Sequence, residues 1–431
     1  MRRQVSVGFW KLTFRDPEFG VILIIASSIW ILTSVLKFPF VVPSLYSDVG
    51  WLWIRDVYLG HHNLQIPYFQ YELEYPQVIG LAIYLGQAIS TYFPFVLDPY
   101  NTFVVVESIL QYPFMIGTLY NLYMLCGWLK LSRFRLYLYI LSTLTFVIYG
   151  FYNWDFIVAY FVSLTIWFYI DHRFDASAMT LTAAVLTKFI PGLMLPAMLA
   201  GLPNNSARWR FIIIAASIWG AVNAPFAILN FGTWIKLFVG YSGPNHQLQN
   251  TWISWVIMSA GLGDVVSGAR AGQILSFSII IFLILRAIMS KKTPLEKILL
   301  SWYAWYGAIY LFDPQMFIQL FPIVILTPNF NFLLYRAADV LNSFIILFYF
   351  IGGSHPQLPS YLTDQLTPFG LINMFSALRQ LVFLAAYFVS FSPKLQKRLK
   401  QTVGMLVSPT SGVQARSRRG RSRGRSRGQL H

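Results

Sequence analysis

Apolar runs of membrane length, separated by short polar breaks, occupy most of the chain, and their spacing sets the first prediction. The run at about 20–42 follows Arg2, Arg3, Lys11 and Arg15. It is long enough to cross a hydrocarbon layer of roughly 30 Å, so it reads as a retained first helix and not as a cleaved signal. Residues 75–96 are apolar but interrupted by Gly80, Gly86 and Pro94, and read as a helix lying along the outer membrane surface. Further spans are expected at about 101–129, 136–152, 156–171, 211–229, 271–289, 295–312, 315–327, 337–353 and 369–391. Between 177 and 202 the apolar run is broken by Lys188, Pro191 and Gly192. A charge at membrane depth is costly and functional by default, and irregular backbone there must be packed in protein or line a wet cavity. The pattern therefore predicts an all-α integral membrane protein. It has about ten full spans, a re-entrant helical hairpin meeting at Lys188, and a juxtamembrane helix in the first outer loop.

Composition agrees with that class. The chain has 431 residues, 56% of them hydrophobic and 11% charged, whereas about a quarter of residues are charged in soluble globular domains. The loop holding Lys130, Arg133 and Arg135 belongs on the cytoplasmic side by the positive-inside rule. Residues 75–96 then cannot cross, and both chain ends are cytoplasmic. On this layout the only Lys and Arg off the inner side are Lys37, Arg55, Lys188, Lys236, Arg270 and Arg379. Asp48, Asp56, Glu72, Glu74, Asp98, Asp155, Asp264, Asp313 and Asp364 fall outside. Acids carry little topological weight, so their gathering on one face points to a shared site. The resulting division is a basic N-terminus at 1–19, a membrane domain at 20–392 with its first outer loop at 43–100, and a basic, largely disordered cytoplasmic tail at 393–431. Much of the formal charge of +16 sits in that tail, where arginines from Arg416 to Arg427 alternate with Ser and Gly. Such a segment suits anionic lipid headgroups better than nucleic acid. Cys126 is the single cysteine and can form no intramolecular disulfide.

Candidate chemistry concentrates between Tyr46 and Pro76, where Asp48, Arg55, Asp56, Glu72 and Glu74 lie among aromatic residues directly after the first span. The rings suit an interfacial belt, and some could stack on a sugar. The chain has no phosphate-binding loop, dinucleotide fingerprint or H-E-x-x-H zinc helix. What it offers is a carboxylate at the outer membrane edge with cations nearby. If an activated sugar arrives on a lipid phosphate, the leaving group is a stable anion that needs cations and no general acid. One base then suffices to deprotonate an acceptor hydroxyl, unlike glycoside hydrolysis with its two carboxylates.

The first outer loop carries YSD at 46–48, Arg55, Gly60, Pro67, Tyr68 and EYP at 74–76. Weaker matches follow at NWD (153–155), TLTAAVLTKFIPGLMLP (ending at Pro196), PNHQLQNTW (from Pro244) and DPQ (313–315). In these residues, spread over about 20–330, the chain resembles GT-C superfamily glycosyltransferases, and within them the polyprenol-phosphate-mannose-dependent enzymes of glycosyltransferase family 87. The resemblance implies a GT-C-like helical bundle, an extracytoplasmic active site in the cell membrane, and Asp48 as catalytic base. The implied reaction is an inverting transfer of a sugar, mannose by this likeness, from a polyprenyl-phosphate donor to a glycan, glycolipid or protein acceptor. No cofactor is expected, since the donor is a substrate. Asp48, Val49 and Gly50 stand where some wider relatives carry D-x-D, which argues against a bound metal.

Other roles compete at each position. Arg55 could clamp a phosphate or pair with Asp56 or Glu74, while Glu72 and Glu74 could bind sugar hydroxyls or orient Arg55. Lys188 could meet the donor phosphate or pair with Asp155. His246 could contact that phosphate, and Arg379 could reach it or pair with Glu107. The competing class is a transporter or flippase of lipid-linked sugars, which would also use broken helices and intramembrane cations.

Overall fold

The computed structural model describes residues 16–38, 40–41, 46–93, 97–239, 251–261, 265–327, 332–354, 357–363 and 370–407. Helices dominate them, and the only β-type contact they contain is an isolated bridge between Pro67 and Tyr71. Chain order gives α1 (Pro17–Val35), α2 (Asp48–Leu52), α3 (Gln77–Tyr92), α4 (Pro99–Trp128), α5 (Leu144–Tyr149), α6 (Asp155–Ile170), α7 (Phe174–Val185), α8 (Met194–Gly201) and α9 (Asn205–Leu229). There follow α10 (Phe231–Val239), α11 (Trp252–Ser259), α12 (Val265–Met289), α13 (Pro294–Ala308), α14 (Phe321–Leu326), α15 (Phe332–Ser354), α16 (Ser360–Thr363), α17 (Leu371–Val389) and α18 (Pro393–Val407).

Several helix starts are written locally. Asp16, Asp98 and Thr293 each cap a helix through a side-chain oxygen, and each is followed by proline. Proline suits the first helical position because its missing N–H has no intrahelical partner there. Thr293 and Glu296 complete a reciprocal capping box.

Six helices among the described residues are long and apolar enough to cross a membrane: Pro17–Val35, Pro99–Trp128, Asn205–Leu229, Arg270–Met289, Phe332–Gly352 and Leu371–Val389. The chain is thus a multi-pass, all-helical membrane protein in outline. Two of the other expected spans are not continuous α-helices. Residues 136–152 divide into a π-helical turn, Tyr137–Leu141, and α5. The break is stabilised from both sides: Thr143 caps α5, and buried Asp339 on α15 accepts the N–H groups of Leu144 and Thr145 at 3.2 and 3.0 Å. Residues 315–327 divide into a 3₁₀ segment, Pro314–Leu320, and α14. Pro314 and Pro322 open these two pieces, and neither can donate the backbone hydrogen bond a continuous helix needs. The start of the tail also differs from expectation, because Pro393–Val407 is helical; residues 408–431 lie outside the described set.

The interior is organised around α4, whose most apolar window is 56% buried, against 6% for α9. Helix α4 packs on α3 and α6, and α6 packs in turn on α7 and on the 3₁₀ segment Pro314–Leu320. A second group joins α15, α17 and α13. Its aromatic heart includes Tyr306 and Phe312 stacked at 4.6 Å, with Phe383 and Phe317 beside them. The expected interruption around Lys188 is present: α7 ends at Val185, and a 3₁₀ turn, Ile190–Leu193, leads into α8. The carbonyl of Leu186 in that break accepts the N–H of Val78 at 2.9 Å, which ties the start of α3 to the Lys188 segment.

Candidate active site

Asp48 is the first residue of α2, a helix started by Ser47, whose Oγ accepts the N–H of Gly50 at 3.1 Å. Glycine at 50 leaves room for the Tyr100 hydroxyl, which would stand 2.8 Å from a Cβ there. The N–H of Val49 reaches the Tyr152 carbonyl at 3.4 Å. These contacts direct the Asp48 carboxylate toward the α5–α6 connection and the 3₁₀ segment.

Two neutral amides converge there on one carboxylate oxygen. Asp48 Oδ2 accepts from Asn153 Nδ2 at 2.6 Å and from Gln315 Nε2 at 3.0 Å. Asn153 also donates to the Tyr75 hydroxyl at 2.9 Å. Its own Oδ1 accepts the Trp154 backbone N–H at 2.6 Å. Because that N–H can only donate, the atom facing it must be the amide oxygen, and the NH₂ group is left to face Asp48. Among the described residues Asp48 takes part in no ion pair. Burial raises its carboxyl from 3.8 to about 7, helped by the charge of Asp313 and opposed by Asn153, Lys188 and Tyr46. A carboxyl in that range holds and releases a proton near neutrality.

Lys188 lies across Tyr75 from this point, its Nζ 5.5 Å from the ring centroid. It donates to Asp155 Oδ1 at 2.8 Å, and Gln319 Nε2 donates to the same oxygen at 2.6 Å. Lys188 therefore pairs with Asp155, as one of its two sequence readings has it, while remaining close enough to act on the Asp48 charge. Asp155 Oδ2 is buried and makes no hydrogen bond.

The other expected residues are placed differently. Arg55 sits in a π-helical turn, Trp53–Leu59, that continues α2. Its Nε and Nη2 donate to Asp56 at 2.6 and 3.2 Å, and its Nη1 to both oxygens of Glu74 at 2.8 and 2.6 Å. Two carboxylates thus surround the guanidinium, so Arg55 pairs with both Asp56 and Glu74, as one of its two sequence readings has it. Glu74 is its partner. Glu72 pairs instead with Lys236 on α10, both about half exposed, so the structure does not join it to the Asp48 network.

Arg379 is fully buried on α17. Its Nη1 donates to Asn342 Oδ1 at 2.6 Å and its Nη2 to the Phe312 carbonyl at 2.8 Å, with the guanidinium 3.7 Å from the Phe312 ring centroid. Glu107, the alternative partner considered for Arg379, accepts from Trp154 Nε1 at 2.8 Å. His246 lies outside the described residues. Among those residues no group of three or more His, Cys, Asp and Glu comes together to hold a metal ion.

Sequence reasoning passed over Asn153, Gln315 and Gln319, and it counted Tyr75 only among the rings that suit an interfacial belt or a sugar face. Asn153 and Gln315 belong to the NWD and DPQ segments already singled out, but attention there fell on the acids. The amides flanking those acids are the groups that reach Asp48. Compared with known proteins, the chain matches no family model and no curated protein.

Proposed function

We propose that the chain is an inverting, polyprenyl-phosphate-sugar-dependent glycosyltransferase of the GT-C kind, with mannose as the sugar and a hydroxyl-bearing glycan, glycolipid or protein as acceptor. On this reading it works at the extracytoplasmic face of the cell membrane, with about ten spans, a re-entrant hairpin at Lys188 and both ends in the cytoplasm. The observation that carries the proposal is the state of Asp48. Its Oδ2 is held by two neutral amides, and its proton affinity lies near neutrality. A general base works best with its pKa near the operating pH.

In the proposed step Asp48 takes the proton of the acceptor hydroxyl as that oxygen attacks the anomeric carbon. The bond from that carbon to the donor phosphate oxygen breaks, and the lipid phosphate leaves as an anion. Lys188, whose charge acts on Asp48, is the cation assigned to receive it, and in doing so it shares its charge between Asp155 and the phosphate. Tyr75, between Asn153 and Lys188, offers a ring against which a sugar could rest.

The break at Lys188 also favours a transporter of lipid-linked sugars. Purified protein given polyprenyl-phosphate-mannose and candidate acceptors separates the two readings. Transfer by wild type that is lost in Asp48→Asn supports the transferase. Undiminished transfer in the variant removes Asp48 as base, and vectorial movement in liposomes with no turnover supports transport.

A further inference from the structure

Glu107 is a carboxyl in the interior of the apolar helix α4, 0% exposed. Such a group is expensive in a membrane span, yet it makes no ion pair among the described residues. Its Oε2 accepts the indole N–H of Trp154, while its Oε1 is buried and makes no hydrogen bond. Gln111 lies one helical turn on, and its buried amide is a polar neighbour of the carboxyl. On the other side Gly86 of α3 makes room for the carboxyl: a Cβ there would stand 2.5 Å from Oε1. Glu107 is thus tied to the Trp154 indole, with the Gln111 amide as its other polar neighbour.

That indole belongs to the residue whose backbone N–H fixes the orientation of the Asn153 amide. The Trp154 ring also packs at 5.6 Å, edge to face, on Tyr75, whose hydroxyl shares the Asn153 donor with Asp48. Trp154 is 0% exposed, so an indole released from Glu107 would leave an unsatisfied buried donor, which is costly. The Trp154 ring would then be free to turn, and with it the packed Tyr75 ring, whose hydroxyl takes the same Asn153 donor as Asp48.

We infer that Glu107 is a positioning residue for the proposed catalytic site, acting through Trp154 and Asn153 to hold the donor that faces Asp48. The inference rests on the transferase reading only for its catalytic consequence. The groups facing Asp48 are Tyr46, Tyr149, Tyr152, Tyr349, Asp313 and Lys188. Asn153 favours the ionised form of Asp48, so a loosened Asn153 raises the pH at which that carboxyl titrates.

The test reads Asp48 directly. Infrared spectra in the carboxyl region, taken across pH for each protein and for its own Asp48→Asn counterpart, give the Asp48 midpoint by difference. The expected midpoint is near 7 in wild type, higher by about one pH unit in Glu107→Leu and Trp154→Phe, and unchanged in Glu107→Gln, whose amide oxygen still accepts from the indole. Trp154→Phe keeps an aromatic ring against Tyr75 while removing the indole donor together with its five-membered ring, so it carries the test if Glu107→Leu does not fold. A midpoint unmoved in folded Trp154→Phe overturns the inference. In a transfer assay, kcat falls about tenfold in both loosening variants, with the donor KM unchanged and the rise of rate with pH displaced upward. A displaced infrared midpoint in a protein whose wild type transfers no sugar sustains the positioning role and overturns the transferase reading.

Discussion

Replacing Asp48 with asparagine is expected to make the protein more stable at neutral and alkaline pH while abolishing transfer. In the folded protein the Asp48 carboxyl is raised from 3.8 to about 7. Below about pH 4 the carboxyl is protonated in both folded and unfolded chains and contributes no difference. As pH rises from about 4 to 7, the unfolded chain ionises first and folding loses free energy; above about 7 the loss is complete. Roughly three pH units at about 1.4 kcal/mol each give a ceiling of about 4 kcal/mol. Asparagine has the same outline, and its carbonyl can accept from both Asn153 and Gln315 in place of Oδ2. It cannot ionise, so the cost disappears. The assay is thermal unfolding in detergent, followed by tryptophan emission at about pH 4, 6 and 8, with wild type and variant side by side. The expected result is coincident transitions at the lowest pH and a gap in favour of the variant that widens toward the highest. A gap of constant size across pH, or a variant less stable at about pH 8, would refute the argument.

On the proposed mechanism, transfer by wild type should rise with pH and level off above about 7, because Asp48 must be ionised to act as base; a rate flat from about pH 5 to 9 would count against it. Lys188→Met strands Asp155 and should cost about 3–5 kcal/mol, most of it recovered when Asp155→Leu is added; unfolding midpoints of the single and double variants measure this. Gly80→Ala places a Cβ 2.1 Å from the Tyr68 hydroxyl, which donates to the Tyr75 carbonyl at 2.6 Å. Overpacking of about 1–3 kcal/mol is expected, with faster proteolysis of the first outer loop. Arg379→Lys cannot reproduce the fork that meets Asn342 and the Phe312 carbonyl and should destabilise by about 2–4 kcal/mol, while leaving the donor KM unchanged in the transfer assay.

Apolar run length made the long helices legible, since both lipid and a packed interior demand the same residues along 19 to 30 positions. The break near Lys188 was legible as well, because a charge, a proline and a glycine fall within five residues of an otherwise apolar run. The break at Ser142 and Thr143 was not. It is fixed by Asp339, 195 residues from Leu144, and threonine within an apolar run carries no warning. The same physics explains the uneven reading of the site. Asp48 stood out because a carboxylate beside lipid needs a reason. Its partners did not, because Asn153 and Gln315 are neutral amides 105 and 267 residues away, and nothing local marks an amide that will face a carboxylate. Arg55 was legible as a residue of this loop with two readings, a phosphate contact or a pair with Asp56 or Glu74, and the structure shows the pair. Both acids that enclose it were visible in the sequence, and only the fold decides whether a guanidinium meets them or a ligand.

The acids that the sequence pattern expects on one face separate by what neutralises them, and the functional proposal rests on that separation. Asp155 meets Lys188 and Gln319, so its charge is answered inside the protein. Asp56 and Glu74 share Arg55, and Glu72 has Lys236. Asp48 receives hydrogen bonds from neutral donors only, which orient a carboxylate without cancelling its charge. A buried carboxylate in that condition binds a proton more tightly than one in water, so it can take a proton from a hydroxyl beside it. Asp313 strengthens the effect by its charge, and Lys188 limits it. Pairing Asp48 with a cation would increase stability and remove the proton affinity that a base requires. The unanswered charge on Asp48 is therefore a cost to folding of the kind expected where a protein does chemistry, and the asparagine variant measures that cost.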